Sequence, residues 1–167
     1  MHKIGEREMV EQQAGNQNAG FLRRLMAMVY DSFLIAALFF LVTVPFVLQV
    51  GEQTLTHDPV VHTLYQLVLV LAAFLFFGWF WTHGGQTLGM RAWRLKTLRM
   101  DGLPMNWPTS IARFAAALLS IGCFGLGFLW ILIDPERLAW HDHLSRTRVV
   151  VEPKKIKKID YLIRIAR

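Results

Sequence analysis

Residues Leu25–Leu48, LMAMVYDSFLIAALFFLVTVPFVL, run for 24 positions with a single charge, Asp31. A helix of that length reaches about 36 Å at roughly 1.5 Å per residue, enough to cross a bilayer core of about 30 Å with some tilt. The stretch therefore predicts a membrane-spanning helix. Arg23 and Arg24 stand just before it, and Arg24 precedes Asp31 by seven residues, so the two share a helix face. An acid inside a span is costly unless it is paired, watered or protonated, which makes Asp31 the first candidate functional residue. Pro45 removes a backbone donor near the far end and predicts a kink or a stop there.

Two more apolar stretches follow. Thr63–Thr82 carries no charge, with Tyr65 near one end and Trp79 and Trp81 near the other. Aromatic rings favour the headgroup level, so these three predict interface belts. Thr109–Ile133 holds Arg113 near its start and the run GCFGLG at its middle. Small residues let helices approach closely in lipid, and clustered glycines mark the place for a break. Hydrophobic residues make up 54% of the 167. Their concentration into long runs, rather than that total, excludes an ordinary soluble domain. The fold class expected is all-α integral membrane, with two transmembrane helices, a third apolar segment that is re-entrant or spanning, and a short β-like cytoplasmic segment. No cleavable signal peptide is expected, because the first apolar run is too long for one and lacks a cleavage site. Cys123 stands alone and has no internal disulfide partner.

The connecting stretches are polar. Residues 1–18 read as a disordered tail, 19–151 as the membrane domain and 152–167 as a basic amphipathic tail. Gln49–His62 reads as a short loop. Its His57, Asp58 and His62 lack a further ligand at a telling spacing, so no metal is expected. After the second span, GGQTLGMR permits tight turns, and its spacing matches no phosphate-binding loop. RAWRLKTLRMDG then predicts a short strand pair turning at Asp101-Gly102, or a surface helix, with the β-like form preferred. Thr147–Val151 reads as a strand. From Lys154 onward, basic residues interleave with isoleucines at helical spacing. Lys154, Lys155, Lys157 and Lys158 are the expected contacts to anionic lipid, and no nucleic-acid partner is expected of a membrane-tethered chain.

Charge sets the expected topology. Lys and Arg number four before the first span, none in 49–62 and four in 83–108. Cytoplasmic loops carry the excess of cations, so the N-terminus is expected inside. A single crossing by the third stretch would put the nine Lys and Arg after Asp134 outside. A re-entrant third stretch removes that conflict, with Thr109–Ser120 going in, a turn at the glycines, and Phe128–Leu138 coming back. Its turn would lie at mid-depth, where backbone survives only if packed within protein or facing water. The re-entrant form is preferred.

The segments AGFLRRLMAMVYD, GGQTLGMR and WHDHLSRTRVV, in that order, resemble the RDD family of small membrane proteins over about Ala19–Val151. The family is named for an arginine and two aspartates. The resemblance assigns these to Arg24, Asp31 and Asp142, and its motif loop to Gly85, Gln86, Thr87, Gly89 and Arg91. A cation commonly follows GQTLG directly in the family, whereas here Met90 intervenes before Arg91. The resemblance implies transport of unidentified ligands, cation–proton exchange among them, and a bacterial inner-membrane location.

A re-entrant return would carry Asp142 to the face where Arg24 and Asp31 lie, and Arg113 lies near that face too. Arg24, Asp31, Arg113 and Asp142 are therefore expected to form one polar cluster. Asp31 reads either as a proton or cation site or as a permanent ion pair locking helices together. His141 and His143 flank Asp142, and an extended backbone there would turn them away from it, so no metal site is expected. No nucleophile–base pair with an orienting acid is visible, and neither an enzyme nor a cofactor is expected. The expected function is a small transporter of cations or other solutes, working through a homo-oligomer or with other membrane proteins. The alternative is a membrane scaffold or assembly factor.

Overall fold

The computed structural model describes residues 18–153. The expected N-terminal tail up to residue 17 and the tail bearing Lys154, Lys155, Lys157 and Lys158 lie outside the described residues.

Helix α1, Phe21–Val50, has 30 residues and reaches about 45 Å. Pro45 lies inside it and does not end it. A proline forfeits one donor, and the remaining ladder of a lipid-facing helix carries the chain past it. The expected loop after α1 is mostly helical: α2 spans Glu52–His57, and α3 spans Pro59–Thr82. Asp58 explains the early start of α3. Its carboxylate accepts from the amides of Val60 at 2.8 Å and Val61 at 3.2 Å, and Pro59 occupies the first turn, where no amide is needed. A hydrogen bond of 2.7 Å between the hydroxyls of Thr43 and Tyr65 ties α1 to α3. These two helices are long and apolar enough to cross a membrane.

Two short units of similar build follow. In the first, helix α4 (Leu88–Ala92) ends with Arg94 in a left-handed conformation, φ 54°, and strand β1 (Leu95–Arg99) begins at the next residue. In the second, helix α7 (Trp140–Leu144) ends with Arg146 at φ 51°, and strand β2 (Thr147–Val151) begins at the next residue. The left-handed residue after each helix reverses the chain so that helix and strand can pack. The strands pair antiparallel, Leu95 opposite Val151 and Arg99 opposite Thr147. The turn at Asp101-Gly102 forms, but it leads into helix α5 (Trp107–Gly122) instead of closing a local hairpin. The partner of β1 comes from the far end of the domain.

Between the two units lies the third apolar segment. Helix α5 is capped by Asn106, whose side chain accepts from the Thr109 amide at 3.0 Å. The chain then turns at Phe124, φ 55°, and Gly125, φ 77°. It continues as helix α6 (Leu126–Leu129) and a 3-10 turn (Trp130–Leu132), bent by 107° from α5. The segment thus leaves β1 and returns to β2. Around the sheet, Ala19, Ala27, Met90, Leu95 and Val149 form a buried core. The amide of Ala19 donates to the Val149 carbonyl at 2.7 Å, which fastens the lead into α1 onto β2.

Candidate functional site

Three elements bring charge to one buried spot. Arg24, at the end of the first turn of α1, donates through Nε to the Ala19 carbonyl at 3.0 Å and through one terminal nitrogen to the Arg137 carbonyl at 3.0 Å. Its other terminal nitrogen binds Oδ2 of Asp142. Arg113, from α5, donates to Oδ1 of Asp142 at 2.5 Å and to the hydroxyl of Thr147 at the start of β2. Asp142 is fully buried, and its Oδ2 also accepts from the Ala139 amide at 3.1 Å. Each carboxylate oxygen therefore binds one guanidinium, and Oδ2 a backbone amide as well, the arrangement that makes a buried ion tolerable. The cost of burial pushes toward the neutral acid, but Arg113, Arg24 and the neighbouring His141 outweigh it and hold Asp142 well below the usual carboxylate range.

His141 occupies the same spot. Its ring lies 4.9 Å from that of Phe128, and Nε2 stands 3.5 Å from Oδ1 of Asp142. Burial, reinforced by the positive charges of Arg113 and Arg24 and opposed by Asp142, pushes its imidazole down to about 3. His141 is thus a neutral neighbour of the ion cluster near pH 7. His143 points the other way, exposed, toward Asp134 at 3.2 Å. The two histidines diverge because α7 is helical, not extended. Among the described residues, no group of three or more His, Cys, Asp or Glu gathers as a metal site would require.

Asp31 does not join the arginines by any hydrogen bond. One oxygen accepts from the hydroxyl of Thr87 at 2.5 Å and the other from the amide of Gly89 at 2.9 Å. Thr87 also caps α4, its oxygen accepting from the Met90 amide at 3.1 Å. Gly89 lies so close to α1 that a Cβ there would collide with the Ala27 carbonyl and stand 2.9 Å from the Asp31 carboxyl. The GGQTLG loop is therefore a clamp on the acid of α1. Gly85, at φ 74°, accepts from the Thr97 amide at 2.7 Å, and Gln86 donates to Leu95 O at 2.8 Å and Glu152 at 3.1 Å, so both fasten the loop to the sheet. Arg91 is exposed and takes no part in the clamp.

A cavity of about 270 Å³ joins these groups. Arg24, Asp31, Thr87, Arg113 and His141 line its polar end, and Phe77, Phe114, Phe128 and Leu118 its apolar wall. Trp81, expected in an interface belt, is buried in this wall with the Arg113 guanidinium 5.4 Å above its ring. Trp79, two residues earlier, is exposed, because residues two apart on a helix point to different sides. Thr147 and Trp81 are members that sequence reasoning misses. Only the Ser-x-Thr step after the histidines hints at Thr147, and nothing local marks Trp81.

Two apolar helices long enough to span, a bent third segment and buried charges held between them define a small polytopic helical membrane protein. The RDD family profile matches residues 18–146, most of the chain, and the protein belongs to the RDD family. No curated protein and no solved structure matches the chain.

Proposed function

We propose that the protein moves a small solute or cation across the membrane, with Asp31 as its proton- or cation-binding carboxylate. One observation carries this: Asp31 faces the cavity while free of arginine. A carboxylate has about four acceptor positions, and Thr87 and Gly89 occupy one on each oxygen. Asp142, in contrast, is locked by two guanidiniums. Three apolar segments make a thin wall around a pathway, so the working form is a homo-oligomer or a complex with other membrane proteins. The Lys and Arg counts flanking the first two spans support an N-terminus in the cytoplasm, and family membership supports a bacterial inner membrane.

The test is flux into proteoliposomes holding the purified chain, read with a pH-sensitive dye while cations are varied outside. Asp31→Asn is expected to abolish coupled flux while the protein stays folded in detergent. Flux unchanged in that variant would end the proposal. The buried Arg24–Asp142–Arg113 ion cluster, which ties α1 and α5 to α7, favours the second reading, a scaffold without transport. Absence of flux in the native chain, together with stable co-purification of another membrane protein, would support that instead.

A further inference from the structure

A second, open groove of about 830 Å³ lies at the end of the molecule where α1 begins. Arg23, Arg94 and Arg137 line it, against one acid, Glu152. That acid is engaged by Gln86 at 3.1 Å and faces Lys96 at 3.9 Å. All three arginines are exposed, and among the described residues none pairs with a carboxylate. Arg94 and Arg137 sit in left-handed backbone, φ 54° and 56°, where glycine or asparagine would be the easier residue. Gly20, the uncapped start of α1, also lines the groove, and the first turn holds no acid, so the positive end of the helix faces the same space.

The groove continues into apolar surface. Leu22 lines it, and Val29, Phe33 and Phe40 follow on the same helical stripe, all exposed. Trp93, also part of the groove, is partly exposed at the same level. A cationic pocket that opens onto a lipid-facing apolar stripe matches a molecule with an anionic phosphate at one end and hydrocarbon at the other.

We infer that the groove binds an anionic glycerophospholipid, its headgroup phosphate on Arg23, Arg94 and Arg137 and an acyl chain along the Leu22–Val29–Phe33–Phe40 stripe. Bidentate guanidinium bonding to the two non-bridging oxygens, which share the single negative charge of the phosphodiester, supplies the recognition, and the remaining arginines repel a cationic headgroup such as choline. The site is separate from the Asp31 cavity and stands whether or not the protein transports anything.

The experiment titrates phosphatidylglycerol into the purified full chain in neutral detergent and counts bound lipid by native mass spectrometry. Phosphatidylcholine and inorganic phosphate are run in parallel. Phosphatidylglycerol is expected to bind at least tenfold more tightly than phosphatidylcholine. The double variant Arg94→Gly/Arg137→Gly relieves left-handed strain while removing charge, and is expected to lose at least tenfold in affinity. Arg146→Gly makes the same change outside the groove and is expected to bind as the native chain does. If the double variant does not fold, Arg23→Gln is expected to weaken binding at least threefold. Equal binding of the two lipids, or unchanged affinity in the folded groove variants, would overturn the inference. Competition by inorganic phosphate at the lipid's own concentration would overturn it too, because the groove would then be a site for free anions.

Discussion

Asp31 and Asp142 are both buried acids, yet they are stabilised by different chemistry. Asp142 is held by two guanidiniums, so removing its charge strands two buried cations. Asp142→Asn is expected to destabilise the protein by about 3–5 kcal/mol, read as a lowered midpoint of thermal unfolding in detergent. Arg24→Lys keeps the charge but loses the fork that reaches three separate acceptors, and should also lower that midpoint. His141 adds a pH dependence. Its folded value near 3 lies below its ordinary 6.5, so the unfolded chain binds a proton that the native one refuses. Stability is therefore full above about pH 6.5 and declines as pH falls toward 3. The lowered Asp142 acts in the same direction further down, below its ordinary value of 3.8. Unfolding midpoints measured from pH 7 to pH 5 should fall in the native chain and stay flatter in His141→Gln. A charge in an apolar run is easy to read in a sequence, which is why Arg24, Asp31 and Arg113 stand out. Their partners are not readable, since a spacing of seven puts Arg24 and Asp31 on one helix face two turns apart, while the groups that bind each come from distant elements, Thr87 and Gly89 for Asp31 and Asp142 for Arg24.

The loop that clamps Asp31 depends on close approach between α4 and α1. Gly89→Ala would drive a methyl group into the Ala27 carbonyl, which belongs to a rigid helix and cannot yield as a side chain would. A loss of about 1–3 kcal/mol is expected, with the Asp31 hydrogen bonds displaced, measurable by thermal unfolding and by flux in the same preparation. Gly127 plays a similar part in the bent segment, where a Cβ would strike the Ser120 side chain and approach the Trp140 ring at 3.0 Å. The long elements follow directly from apolar run length, and the glycines at 122, 125 and 127 bracket the break the run contains. Pairing is what local pattern does not carry. Leu95–Arg99 has strand chemistry and a turn signal immediately after it, so sequence favours a hairpin. The partner is Thr147–Val151, chosen because Leu95, Thr97, Thr147 and Val149 share one buried face. The helix at Asp58-Pro59 was open to reading, because an acidic cap followed by proline is a start signal in its own right.

The pairing of β1 with β2 decides how the chain sits across a bilayer. The sheet gathers the start of α1, the exit of α3 and both ends of the third segment at one end of the bundle. Helix α5, at 16 residues, reaches about 24 Å, short of a core near 30 Å, whereas α1 and α3 exceed it. A turn left at depth must satisfy its own backbone. Here the amides of Cys123, Phe124, Gly125 and Leu126 each find a carbonyl within the turn or in α5. The chain should therefore cross twice, with the third segment dipping in and returning, so that residues 18 and 153 face one compartment. That result also eases the charge conflict of a single third crossing, because Arg137, Arg146 and Arg148 then lie on the cation-rich side. Single cysteines introduced at Asn18 and at Pro153, in a Cys123→Ser background, should react with a membrane-impermeant maleimide from the same side of sealed vesicles. A cysteine at Gln53, between α1 and α3, should react from the opposite side. If position 153 labels together with position 53, the third segment crosses, the sheet cannot form in the membrane, and Asp142 cannot reach Arg24.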